Sequence, residues 1–198
     1  YVQPVIPIPL SPKLNLITRW ILPIVSQYDI RGEATSESGL GDAVISGFLS
    51  PSQSKITWGV GPAFLLPTAT NQFLGGKKFG IGPSVVVLTQ INGWTIGGLA
   101  NHIFSVAGDE NRSDINATFL NPFFGYNWKT GSGIFINSEY THDWENDLDV
   151  FLVMPTFTAV TKFGSQIVSF AIGPRIHFAP ETRPNYGIRA AIIMVFPK

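Results

Sequence analysis

The sequence predicts an all-β fold, a transmembrane antiparallel up-and-down β-barrel of about twelve strands with eleven visible in the chain. Three observations predict it. Charged residues make up only 13% of the 198 residues, where an ordinary soluble protein carries about a quarter, while glycine (20) and phenylalanine (15) are plentiful. The chain also reads as long segments in which apolar and small or polar residues alternate, cut by clusters of Gly, Asn, Asp, Ser, Thr and Pro. Finally, the connections between these segments alternate between short and long.

The expected strands are 1–10, 14–27, 39–50, 55–67, 78–90, 94–107, 115–128, 133–144, 149–162, 165–178 and 185–198. Soluble strands usually run about five or six residues, whereas a tilted strand crossing a bilayer needs about nine to eleven. The second strand sets Trp20, Leu22 and Ile24 against Asn15 and Arg19. The eighth sets Ile134, Ile136 and Tyr140 against Asn137, Glu139 and Thr141. In the last, Tyr186, Ile188, Ala190, Ile192, Met194 and Phe196 share one face, with Gly187, Arg189 and Ala191 on the other. No segment has a helical period, and the longest apolar run, 190–196, is far below the roughly 18 residues of a membrane-spanning helix.

Short links fall after every odd-numbered segment, which places Lys198 on the periplasmic side and Tyr1 at the outer rim. A closed barrel of even strand number then expects its first strand upstream of Tyr1, with 1–198 forming one incomplete domain. Pro23, Pro62, Pro83, Pro122, Pro155 and Pro174 sit inside the expected strands. Proline cannot donate to a ladder, so the favoured reading is a girdle of β-bulges at one height, and the other is that the strands break there.

If alternation holds, the lumen receives Arg19, Asp42, Lys55, Asn101, Asn121, Glu139, Asp143, Arg175, His177 and Arg189. These make either a filter that contacts solute or a network of ion pairs that braces a narrow barrel. Gly59, Gly61, Ala63, Gly80, Gly82, Ser84 and Gly97 leave space along one wall, or let a sheared sheet curve.

Enzymatic activity is not expected: His142 shares a face with Ser138, four residues away, but no third member of a triad is offered. His102 lies among outward apolar residues. There are no cysteines and no metal-ligand spacing, so no cofactor or metal is expected. The acidic groups Asp109, Glu110, Asp114 and Asp143, Glu145, Asp147, Asp149 read as solvated loop charge, beside a weaker reading as cation sites shared with lipopolysaccharide. The acceptor tripeptides at Asn111 and Asn116 are incidental in a bacterial barrel. Zero net charge without a basic run sets nucleic acid aside as a partner.

Several segments carry a family likeness: QPVIP at 3–7, LITR at 16–19, GLGD at 39–42, WGVGP at 58–62, LLPTAT at 65–70 and FPK at 196–198. Together they resemble the bacterial outer-membrane barrel family labelled with the meta pathway of phenol degradation, whose members are often called transporters or neuromedin U. The resemblance covers nearly the whole chain and implies a Gram-negative outer-membrane location; it names no substrate. Phe196 stands third from the end, a departure from the usual terminal aromatic of barrel proteins. The expectation is a channel or transporter for passive passage of small molecules, hydrophobic ones among the candidates, surrounded by outer-membrane lipid and lipopolysaccharide. The alternative is a closed barrel acting as an anchor or as a partner in a homo-oligomer.

Overall fold

The computed structural model describes residues 1–29, 32, 35–178 and 186–196. They form thirteen strands and, among the described residues, no helix. The strands are β1 (Val5–Ser11), β2 (Leu14–Ile21), β3 (Ile24–Tyr28), β4 (Ser36–Leu40), β5 (Ala43–Pro51), β6 (Thr57–Leu66), β7 (Lys78–Ile91), β8 (Trp94–Gly108), β9 (Asn116–Asn127), β10 (Ser132–Asp143), β11 (Leu148–Phe163), β12 (Gln166–Phe178) and β13 (Tyr186–Val195). Eleven lie in one sheet, in the order β1-β2-β5-β6-β7-β8-β9-β10-β11-β12-β13, and β3 and β4 form a separate hairpin. These are the eleven expected segments, with the second and third divided. The chain separates into two compact units: Tyr1–Val86, Ala100–Thr118 and Asp143–Leu148 form the first, and Val87–Leu99, Phe119–His142 and Asp149–Lys198 the second.

Closure is the expectation that these residues do not fulfil. The sheet order begins at β1 and ends at β13, and among the described residues no ladder joins the two. The outward edge of β1 is short of hydrogen-bond donors. Val2 exchanges both backbone hydrogen bonds with Leu22, and the Pro4 carbonyl accepts from the Trp20 amide, so even-numbered residues face β2 and odd-numbered ones face away. The odd positions include Pro7 and Pro9, which have no N–H to offer a further strand, and every β1 residue is exposed.

The turns are built as their residues require. Asn92 (φ 48°) and Gly93 (φ 87°) both lie in the left-handed region, as a two-residue type I′ hairpin demands. Gly131 (φ 86°) closes the β9–β10 turn, where its amide reaches the Trp128 carbonyl at 3.1 Å.

The mid-strand prolines resolve differently from a girdle of bulges. Pro23 does break a strand, separating β2 from β3. Pro62 lies in a gap of the β5–β6 ladder, which resumes in the same register on both sides. Pro155 and Pro174 lie in a gap between Val153↔Ile176 and Phe157↔Ile172 of β11 and β12, again without a shift. A register shift does occur between Pro9 and Ser11 of β1. Glycine makes this tolerable: a Cβ on Gly61, Gly82 or Gly173, each just before a proline, would run into the carbonyl oxygen of Gly47, His102 or Pro155 on the neighbouring strand. With no N–H on the proline, that carbonyl leans over the preceding α-carbon, where a weak C–H···O contact takes the place of the lost bond.

The strands expose many large apolar side chains, while their buried positions mix small, polar and apolar residues. In the first unit Val60, Val85 and Phe104 are exposed while Ser46, Ala63 and Ser84 are buried. In the second, Ile134, Phe157, Ile172 and Ile188 are exposed while Thr156, Met154 and Val168 are buried.

Gly61→Ala and Gly173→Ala are each expected to lower stability by about 1–3 kcal/mol, because the added methyl must displace backbone. Gly98→Ala, where the nearest atom to a new Cβ is 3.6 Å away, should change it far less. Urea unfolding of the three variants in one detergent checks the contrast.

Candidate functional site

In the first unit the polar residues mostly hold loops. Asp42, between β4 and β5, accepts the amides of Ala69 (3.1 Å) and Gly76 (2.6 Å) on its two carboxylate oxygens. Thr68 donates to the Gly41 carbonyl at 2.9 Å, and Asn71 Nδ2 donates to Glu37 at 2.5 Å. Arg112, from the segment between β8 and β9, donates to the carbonyls of Gln72 and Gly75. Segment 67–77 is thus clasped from two directions and buries Leu74. Lys78 at the start of β7 is almost fully buried and donates to Asp114 at 2.9 Å.

Arg19 stands half-buried on β2, opposite Ser46 of β5, which is 1% exposed. Lys55 is exposed in the turn before β6. Asn101 borders an apolar groove of about 780 Å³ between the exposed side chains of Val60, Val85 and Phe104. One polar pair meets that groove: His102 Nδ1 lies 2.9 Å from Thr118 Oγ1, which also accepts from Trp144 Nε1 at 2.9 Å. Asp143 caps its own turn through the amides of Glu145 and Asn146.

The second unit brings four of the expected residues onto one polar face. On β9 and β10, Asn121 Nδ2 donates to Asn137 Oδ1 and to the Ser138 carbonyl, each at 2.7 Å. Glu139, two residues along β10 and on the same side as Asn137, lies 3.9 Å from Arg175 of β12. The Arg175 Nε is buried without a hydrogen-bond partner. Arg189 of β13 pairs in register with Gly173 of β12, which has no side chain, so its guanidinium reaches across to donate to the Met154 sulfur on β11 at 3.4 Å. Met154 itself is 1% exposed. A cavity of about 170 Å³ opens here, bounded by Arg189, Asn137, Thr156, Phe123 and Phe135 with small apolar residues.

His142 is not placed with Ser138. Its Nδ1 lies 2.8 Å from Asp149 Oδ1, which also accepts from the Tyr140 hydroxyl at 2.6 Å. The Ser138 carbonyl is instead occupied by Asn121. Among the described residues no group of three His, Cys, Asp or Glu side chains could hold a metal ion.

Asn137, Thr156 and Met154 were not singled out by sequence reasoning as site residues. Alternation along β10 put Asn137 beside Glu139, so that signal was present; the meeting of Arg189 with Met154 needs the registers of two ladders. No family model, curated protein or solved structure matches this chain.

Asp42→Ala removes both charge-assisted bonds to 67–77, each worth about 1.5–3 kcal/mol, so amide exchange at Gly76 should quicken by at least about tenfold. Acid gives a second check. The hydrogen bond from Lys78, helped by that from Ser105, holds the Asp114 carboxyl below its usual value of 3.8. A lowered carboxyl stabilises the folded arrangement above the ordinary value and loses it as pH falls through the lowered one. Exchange at Ile115, whose amide donates to Ser105, should therefore stay slow to about pH 4 and rise only below it.

Proposed function

We propose that this chain is a bacterial outer-membrane channel of the β-barrel type, through which small molecules pass passively. The observation that carries the reading is the exposed face of the strands, which is crowded with large apolar side chains such as Val60, Val85, Phe104, Phe157, Ile172 and Ile188, while the buried positions mix Ser46, Ser84 and Thr156 with apolar residues such as Phe48 and Met154. Water would penalise such a surface, and hydrocarbon would not. The strands of 12 to 16 residues from β7 to β12 are long enough for a tilted crossing.

Aromatic side chains sit where an interface would want them. Trp94, Tyr126 and Trp128 cluster at the short-turn ends of β8 and β9, with ring centroids 5.0 and 5.8 Å apart. Phe151 and Phe178 stack at 5.6 Å at the opposite, long-loop ends of β11 and β12. Between them the exposed side chains are mainly aliphatic, the pattern of an apolar band flanked by girdles. The resemblance carried by QPVIP, WGVGP and LLPTAT supports the same location.

Reconstitution of the folded, full-length protein in planar bilayers tests the channel. Discrete openings are expected, with anion preference reduced in Arg19→Ala and Arg189→Ala. Folded protein without conductance would overturn the reading in favour of a plugged barrel. The membrane face has its own test. Ile172→Arg, at a site 57% exposed, should cost about 2–4 kcal/mol in lipid vesicles if it lies near the midplane, measured by urea unfolding against Ile172→Ala.

A further inference from the structure

We infer that the cavity beside Arg189 binds small carboxylic acids with an apolar body. The inference rests on the channel reading for the route by which such a solute arrives, and on the geometry of the second unit for the binding itself.

The polar wall of the cavity consists of donors. Arg189 carries five N–H groups, and it donates to a thioether sulfur, a weak acceptor. Among the described residues no carboxylate lies against it. Asn137 has its carbonyl oxygen taken by Asn121, which itself is tied to the Ser138 carbonyl, so the Asn137 side chain is turned with its NH2 group left to donate. Thr156 spends its hydroxyl proton on the Met154 carbonyl at 3.2 Å. Glu139, the acidic side chain of this face, is engaged with Arg175. A guanidinium and an amide donor with no paired acid select an anion, and the planar fork of arginine fits a carboxylate with two parallel bonds.

The remaining walls are apolar. Phe123 and Phe135 face the cavity from β9 and β10, and Ala171 and Ala191 leave room between them. Its 170 Å³ is the volume of roughly five or six waters at about 30 Å³ each, which suits a carboxylate with a short hydrocarbon or one ring. Gly173 keeps the route across β12 clear, since a side chain there would stand between Arg189 and Thr156.

Isothermal titration of the folded protein in detergent micelles at neutral pH, with benzoate as the probe, tests this without requiring conduction. Benzoate should bind, benzamide of the same shape without the charge should bind at least tenfold more weakly, and acetate, which lacks the ring, should also be weaker. Arg189→Gln should weaken benzoate at least tenfold and Arg189→Lys by less, with folding of each checked by heat-modifiable gel mobility. Lys129→Gln, which removes a positive charge in the β9–β10 turn, should leave binding unchanged. Absence of benzoate binding, equal binding of benzamide, or an unaltered affinity in Arg189→Gln would each overturn the inference. Conducting protein that ignores benzoate would sink this site and leave the channel; benzoate binding without conductance would do the reverse.

Discussion

A slip of one residue in the β12–β13 ladder would carry Arg189 onto the apolar face and Ile188 onto the polar one, because successive side chains of a strand point to opposite sides. The rest of the structure depends on that two-residue period being kept from strand to strand. It is kept even where proline interrupts the bonding, since the β5–β6 and β11–β12 ladders resume in unchanged register beyond the gap. Had the prolines been absorbed as bulges, each would have inserted a residue and exchanged the faces of everything beyond it. Pairing proline with a preceding glycine at Gly61, Gly82 and Gly173 lets a strand bend without losing count.

That regularity is why so much of the architecture was legible in the residues. Each of the eleven sheet strands overlaps an expected segment, and Tyr186, Ile188 and Ile192 are as exposed as their alternation required. Pro23 was harder to read, because a mid-strand proline can be bridged, as Pro62 and Pro155 are, or can end a strand, as Pro23 does between β2 and β3, and alternation alone does not distinguish the two. The polar residues divided by a different principle. Arg189, Glu139, Asn121 and Arg175 sit within strands, where parity fixes the face; Asp42 and Lys55 sit at ends or turns, where parity carries little meaning. Asp42 is bound to the backbone of 67–77, a pairing that only the folded loop creates.

The arginines of the second unit illustrate a cost that a polar interior imposes. Arg175 meets Glu139 at 3.9 Å with a buried Nε left over, and Arg189 leans on a sulfur. A guanidinium so thinly satisfied is retained against a desolvation penalty, which an apolar residue of similar volume would avoid. Such a charge is most stable with water or an anion beside it.

The outward edge of β1 bears on how the chain avoids pairing with copies of itself. A sheet with large apolar side chains on its exposed face is at hazard in water, where a strand edge can recruit a second copy and begin a fibril. Proline at positions 7 and 9 removes two of the outward N–H groups of that edge, and a growing cross-β stack draws on such donors. That protection is built into the backbone.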